Sequence, residues 1–207
     1  MTGKHGTGLS LRTLTPHHER QPGNRRTAPD ALWLVQAFAN SRWDLDHDLR
    51  DQFATTDLLA GWLVARHLLE PGAPVSEADR RRALDAREGI RTLLFVNNGL
   101  PADDAAIERL NETLRGRATS VRLSGQSRPD FVTHGRGVDA TLALLGGSIA
   151  AAQLDGSWSR LKACPGDHCG WAFYDHSRND SGTWCSMAVC GGRAKAREYR
   201  RRKTRVP

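Results

Sequence analysis

The cysteines constrain this chain more than any other feature. Four are present among 207 residues, at Cys164, Cys169, Cys185 and Cys190, and they read as two C-x4-C pairs separated by fifteen residues. Each close pair can span one edge of a tetrahedron, and a loop of that length can fold back to bring the pairs together. The pattern therefore predicts a closed four-cysteine site for one structural Zn2+. Two disulfides are the competing reading, and they would need an oxidising compartment. Residues 1–26 carry no apolar core of the kind an export signal requires. The run Ala31 to Ala39 is too short to span a membrane, and although Arg25-Arg26 precedes it, Pro29 and Asp30 interrupt the approach. The expectation is a cytoplasmic protein, with zinc ahead of disulfides and a redox-sensing thiol pair as a third reading.

The sequence around the ligands fits a small metal module. Trp171, Phe173 and Tyr174 make W-A-F-Y a short strand whose aromatics supply a miniature core, and Trp184 precedes the second pair. Ser186 is a candidate N-cap for a helix over Met187 to Lys203, whose composition is helix-forming apart from Gly191-Gly192. From Gly191 to Pro207 there are eight basic residues against Glu198, a net charge of +7 that equals the excess of the whole chain. Arg193, Arg197, Arg200 and Arg201 recur on one face of a helix. Such a face suits phosphate, so Arg193, Lys195, Arg197, Arg200, Arg201 and Arg202 are expected to contact double-stranded DNA. The alternative is a structural zinc module whose basic tail binds RNA or an acidic protein.

The stretch WAFYDHSRNDSGTWCSMAVCGGRAKAREYRRR resembles the CGNR zinc fingers, in which a cysteine pair, an aromatic strand, an S-R-N turn, W-C-S-M and C-G-N-R-A-K-A-R lead into a basic helix. The resemblance covers about 40 residues. It implies a bacterial, nucleoid-associated DNA-binding module joined to a helical domain of the ABATE type, as in stress-induced transcription regulators. Within the S-R-N turn, Arg178 becomes a candidate base reader. The sequence departs from the family where Gly192 replaces its Asn.

The remainder reads as mainly α. Residues 1–27 are rich in Gly, Thr, His and Pro and are expected to be a disordered tail; 28–162 form a helical ABATE-like domain, and 163–207 the four-cysteine module of a short β-hairpin plus a basic helix. Asp30 and Thr56 are candidate caps for the first two helices, Ser76 with Asp79 forms a capping box, and Asp103 or Asp104 opens the next helix after the Asn97-Asn98-Gly99 stop. SVRL and DFVTH predict a hairpin, and Val138 to Gln153 a buried helix. Ser157 to Ala163 is expected to continue as a short helix into the module. The aspartates at 44, 46, 48 and 51 lack the glycine of a calcium loop, and His17-His18 reads as a solvated pair. No nucleophile with a base, phosphate loop or spaced carboxylate pair is evident, so an enzyme is not expected. His168 and His176 are alternative metal ligands near the cysteines. Gly146-Gly147-Ser148, with Trp33, Trp43 and Trp62, suits either close helix packing or a cavity for a small effector. The helical domain could instead serve to form a homodimer. Chelation is expected to unfold the module and leave the helical domain folded.

Overall fold

The computed structural model describes residues 9–10, 13–14, 21–43, 50–117, 119–123, 125 and 130–203. The readings of Asp44, Asp46, Asp48, His17 and His18 lie outside the described residues. Among those described the fold is mainly α. Helices α1 (Leu32–Asn40), α2 (Thr56–Ala65), α3 (Glu77–Val96) and α4 (Asp104–Leu114) precede a hairpin of β1 (Ser120–Arg122) and β2 (Asp130–Val132). Then come α5 (Val138–Asp155), a second hairpin of β3 (Leu161–Ala163) and β4 (Ala172–Tyr174), and finally α6 (Gly192–Lys203).

Helix α1 is buried along its whole length. It is apolar on every side apart from Gln36 and Asn40, and a helix of that kind belongs inside a protein. It packs against α3, α5 and β4. Phe38, Phe53 and Trp62 meet edge to face beside it, with ring centroids 5.2–5.7 Å apart.

The capping box of α3 forms as read: Ser76 Oγ accepts from Asp79 N at 3.1 Å, and the Asp79 carboxylate accepts from Ser76 N at 3.0 Å. Asp103 caps α4. Two expected caps shift. Thr55, not Thr56, caps α2, and no side chain caps α1, because Asp30 sits in the left-handed region (φ 48°) outside the helix. Helix α5 is buried over much of its length, with Asp139, Ala150 and Gln153 to Asp155 exposed, and its glycines serve packing. A Cβ on Gly147 would lie 3.1 Å from the Phe131 ring of β2, and one on Gly146 would rest against Leu114. Trp33 and Trp62 are core residues, while Trp43 turns to the cysteine-bearing module, so the three do not enclose one cavity.

The expected disordered tail is corrected for its described residues. Leu9 and Leu14 are buried, Ser10 bridges to Val132 of β2, and Gln21 to Thr27 run against the module. The ties of residues 21–27 are mostly polar, to main-chain carbonyls and one indole, which a search for apolar periodicity passes over. The segment after α5 also differs from expectation. One 3-10 turn (Ser157–Arg160) runs into β3, so the boundary expected at 162/163 falls inside a strand.

Strand β4 then divides its side chains between two cores, as the two-residue period of a strand dictates. Ala172 and Tyr174 join the core of the helices, while Trp171 and Phe173 join Cys164, Cys185 and Cys190, with Trp43 and Trp184 alongside.

Candidate metal centre and nucleic-acid interface

Cys164 and Cys169 lie in the loop joining β3 to β4. The loop is tied by hydrogen bonds from Cys169 N to Gly166 O (2.9 Å), Gly170 N to Cys164 O (3.0 Å) and Cys164 N to Trp171 O (2.9 Å). The second pair is held by a wider turn. Ser186 caps it by accepting from Val189 N, and Met187–Gly191 winds as a single π turn before α6 continues it without a break. Gly191-Gly192, the exception in an otherwise helix-forming composition, is carried within the helical run. A π turn inserted at the start of a helix re-aims one side chain, and here it carries Cys190 to the other three cysteines.

All four sulfurs lie within 4.8 Å of one another, with Cys169 to Cys185 at 3.6 Å and Cys185 to Cys190 at 3.7 Å. A tetrahedral zinc with Zn–S bonds of about 2.3 Å has edges of about 3.8 Å. The thiols are free rather than paired as disulfides. Their mutual effect points the same way. Hydrogen bonds from Cys169 and then Cys185 pull the Cys164 thiol down, while the same contact with Cys164 pushes Cys169 up to about 12 and raises Cys185 as well. Thiolates this close repel one another, so a cluster of four calls for a cation. The four cysteines lie close enough together to hold one metal ion, as a single structural zinc requires. His176 stays outside it, hydrogen-bonded with Thr27 O at 3.2 Å and tilted at 59° against the Tyr174 ring, and His168 is exposed.

The S-R-N turn follows β4 and is built around a buried ion pair. Lys162 Nζ lies 3.4 Å from Asp175 Oδ2, with the side chains 7% and 2% exposed. Asp175 also accepts from Ser177 N (2.9 Å) and Gly182 N (2.5 Å), and Lys162 donates to Asp180 O (2.8 Å). Burial alone would raise the Asp175 carboxyl, but those donors hold it at about 2. Gly182 is needed here, since a Cβ would stand 2.7 Å from the Asp175 carboxyl carbon. Arg178 sits exposed in this loop.

Helix α6 buries none of its residues. Arg193, Lys195, Arg197, Arg200, Arg201 and Arg202 all lie on it, so the seven expected nucleic-acid contacts occupy two elements of the module. Arg197 reaches Asp167 of the first cysteine loop at 3.1 Å, and Glu198 pairs with Arg201 and Arg202. Arg178, Arg193 and Lys195 have no ion-pair partner among the described residues. At Gly192 a Cβ would meet only Met187 O at 3.5 Å, so the backbone has room for the family's Asn.

The residues that dock this module on the helices escaped the sequence reading. Asn40 clamps β4 by donating to Ala172 O (2.9 Å) and accepting from Ala172 N (2.7 Å), and Gln36 adds a bond to the same carbonyl at 3.1 Å. Asn97 donates to Trp158 O and Leu161 O, and Asn98 to Ala163 O and Thr183 O, all at 2.8–2.9 Å. Two amides four residues apart on an otherwise apolar helix were the available signal, because buried amides need partners.

A helical body with a four-cysteine module docked on it by main-chain clamps defines a zinc-finger protein of two sequence units and one continuous structure. The chain belongs to the ABATE family, whose model, described as "Putative stress-induced transcription regulator", matches residues 31–156. The CGNR zinc finger model matches residues 160–203. No curated protein matches the chain.

Proposed function

We propose that the protein is a transcription regulator that binds double-stranded DNA through α6, with the four-cysteine module as its platform and the helical body for sensing or dimerisation. The observation that carries this reading is a helix with seven basic residues, Arg193 to Lys203, that buries no side chain against its own protein. A strongly cationic surface with a single acid on it attracts polyanions, and a helix fits the major groove. Arg178, presented by a rigid loop, is the candidate for base contact. The same reading makes the chain a binding protein rather than an enzyme, and places it in the cytoplasm at the nucleoid. No described helix is long and apolar enough to cross a membrane. Selection of bound duplexes from a random pool, followed by titration against salt, tests it. If five or six phosphates are neutralised, log K falls with log salt at a slope of roughly −5. Failure to retain any duplex at low salt, or preference for single-stranded RNA in direct competition, would overturn it.

A further inference from the structure

We infer that Arg25, which lies outside both family matches, is part of the metal site: an outer-sphere cation that positions the second cysteine pair and offsets the charge of the zinc–thiolate centre. The inference rests on the zinc reading and is independent of DNA binding. Arg25 donates from Nε to the carbonyl oxygen of Cys185, itself a ligand, at 2.7 Å, and from Nη2 to Trp184 O at 2.8 Å. Its guanidinium lies over the Phe173 ring, 4.8 Å from the centroid. No carboxylate pairs with it among the described residues. Four thiolates outweigh a divalent ion, so the occupied centre carries excess negative charge, and a half-buried guanidinium fixed on a ligand's own carbonyl is placed to balance it.

The neighbouring contacts fix that guanidinium from both sides in sequence. Gln21 Oε1 accepts from Trp171 Nε1 at 3.1 Å, Gly23 packs against Ser186, and Thr27 O meets His176. Residues 21–27 therefore form a strap across the metal core. Across the first cysteine loop, Arg91 of α3 donates to Gly170 O at 3.0 Å, but it also pairs with Glu88 at 3.3 Å and so differs in charge balance. Docking of the strap and retention of zinc then become one linked equilibrium, each strengthening the other by the same factor.

The test uses the full-length protein and zinc alone. Wild type, Arg25→Met and Arg25→Lys are titrated with a competing chromophoric chelator, and hydrogen exchange across residues 21–27 is measured with and without metal. Arg25→Met should weaken zinc retention about 10–100-fold, the usual range for outer-shell partners, with Arg25→Lys in between because it keeps the charge and loses the fork. In cobalt-substituted protein the thiolate-to-metal charge-transfer band should move in Arg25→Met and stay nearer wild type in Arg25→Lys, which keeps the charge. Zinc removal should speed exchange in residues 21–27. Unchanged zinc affinity in a folded Arg25→Met protein overturns the inference while leaving the zinc site standing. A wild type that binds no zinc overturns the zinc reading itself.

Discussion

Asp175 and Lys162 illustrate how a single buried pair sets the shape of a presenting loop. Replacing Lys162 with Met takes the buried cation from Asp175, leaves its carboxylate only the Ser177 and Gly182 donors, and should cost about 3–5 kcal/mol in denaturant unfolding at neutral pH; Asp175→Asn should cost less, because the amide can keep one acceptor. The acid dependence has a definite sign. The Asp175 carboxyl is depressed, so its contribution is complete above about pH 4, where an unfolded aspartate is ionised. It is lost as pH falls through about 2. Asp175→Asn should lack that part of the acid titration, as followed by unfolding at graded pH. Such residues were only partly legible. The cysteines announced their chemistry by type and spacing, and the structure brings all four together. Lys162 and Asp175 are ordinary charges in the sequence, and only the pairing of β3 with β4 brings them together.

At the scale of elements, strong local signals survived and weak ones moved. The Ser76–Asp79 box, the W-A-F-Y strand and the SVRL/DFVTH hairpin each rest on interactions within or between near neighbours, and each formed. Asp30 and Gly191-Gly192 were read from residue preference alone. There the tertiary setting won, with a π turn that exists to place Cys190. Gly192 then lies in ordinary helical geometry (φ −62°, ψ −44°) with space around it. Gly192→Ala should stabilise α6 by about 0.5–1 kcal/mol, visible as added helicity and a higher unfolding midpoint. Replacing Arg193, Arg197 and Arg200 together with alanine should flatten the salt dependence of duplex binding by about two to three units of slope. An unchanged slope would move the contacts to another surface.

For the molecule as a whole, the expectation that chelation spares the helical domain meets the shared core. Leu161, Ala163, Ala172 and Tyr174 of the hairpin join the core of the helices, β3 against α3 and β4 against α1, rather than the metal module. Metal removal is therefore expected to lower the unfolding temperature of the entire chain in one transition, followed by calorimetry with and without chelator. Two separated transitions, the lower one alone responding to metal, would restore the independent-domain picture. This continuity was invisible in the sequence because amides from one half seek main-chain groups of the other, and main chain carries no residue signature.

That choice of target makes tolerance to substitution one-sided. Asn40, Asn97, Asn98 and Arg25 recognise carbonyls of residues 158, 161, 163, 172, 183, 184 and 185, and every amino acid offers the same carbonyl. The clamps themselves set no side-chain requirement at these positions, whose side chains answer instead to the cores they enter, Leu161, Ala163 and Ala172 that of the helices and Cys185 that of the cysteines. A single asparagine changed to alanine on the helical side would leave one or two carbonyls stranded, at about 1–3 kcal/mol for each that stays buried. The joint is a lock cut on one side only: its side-chain specificity lies in the asparagines and Arg25, and the carbonyls they grip are set by the backbone path alone.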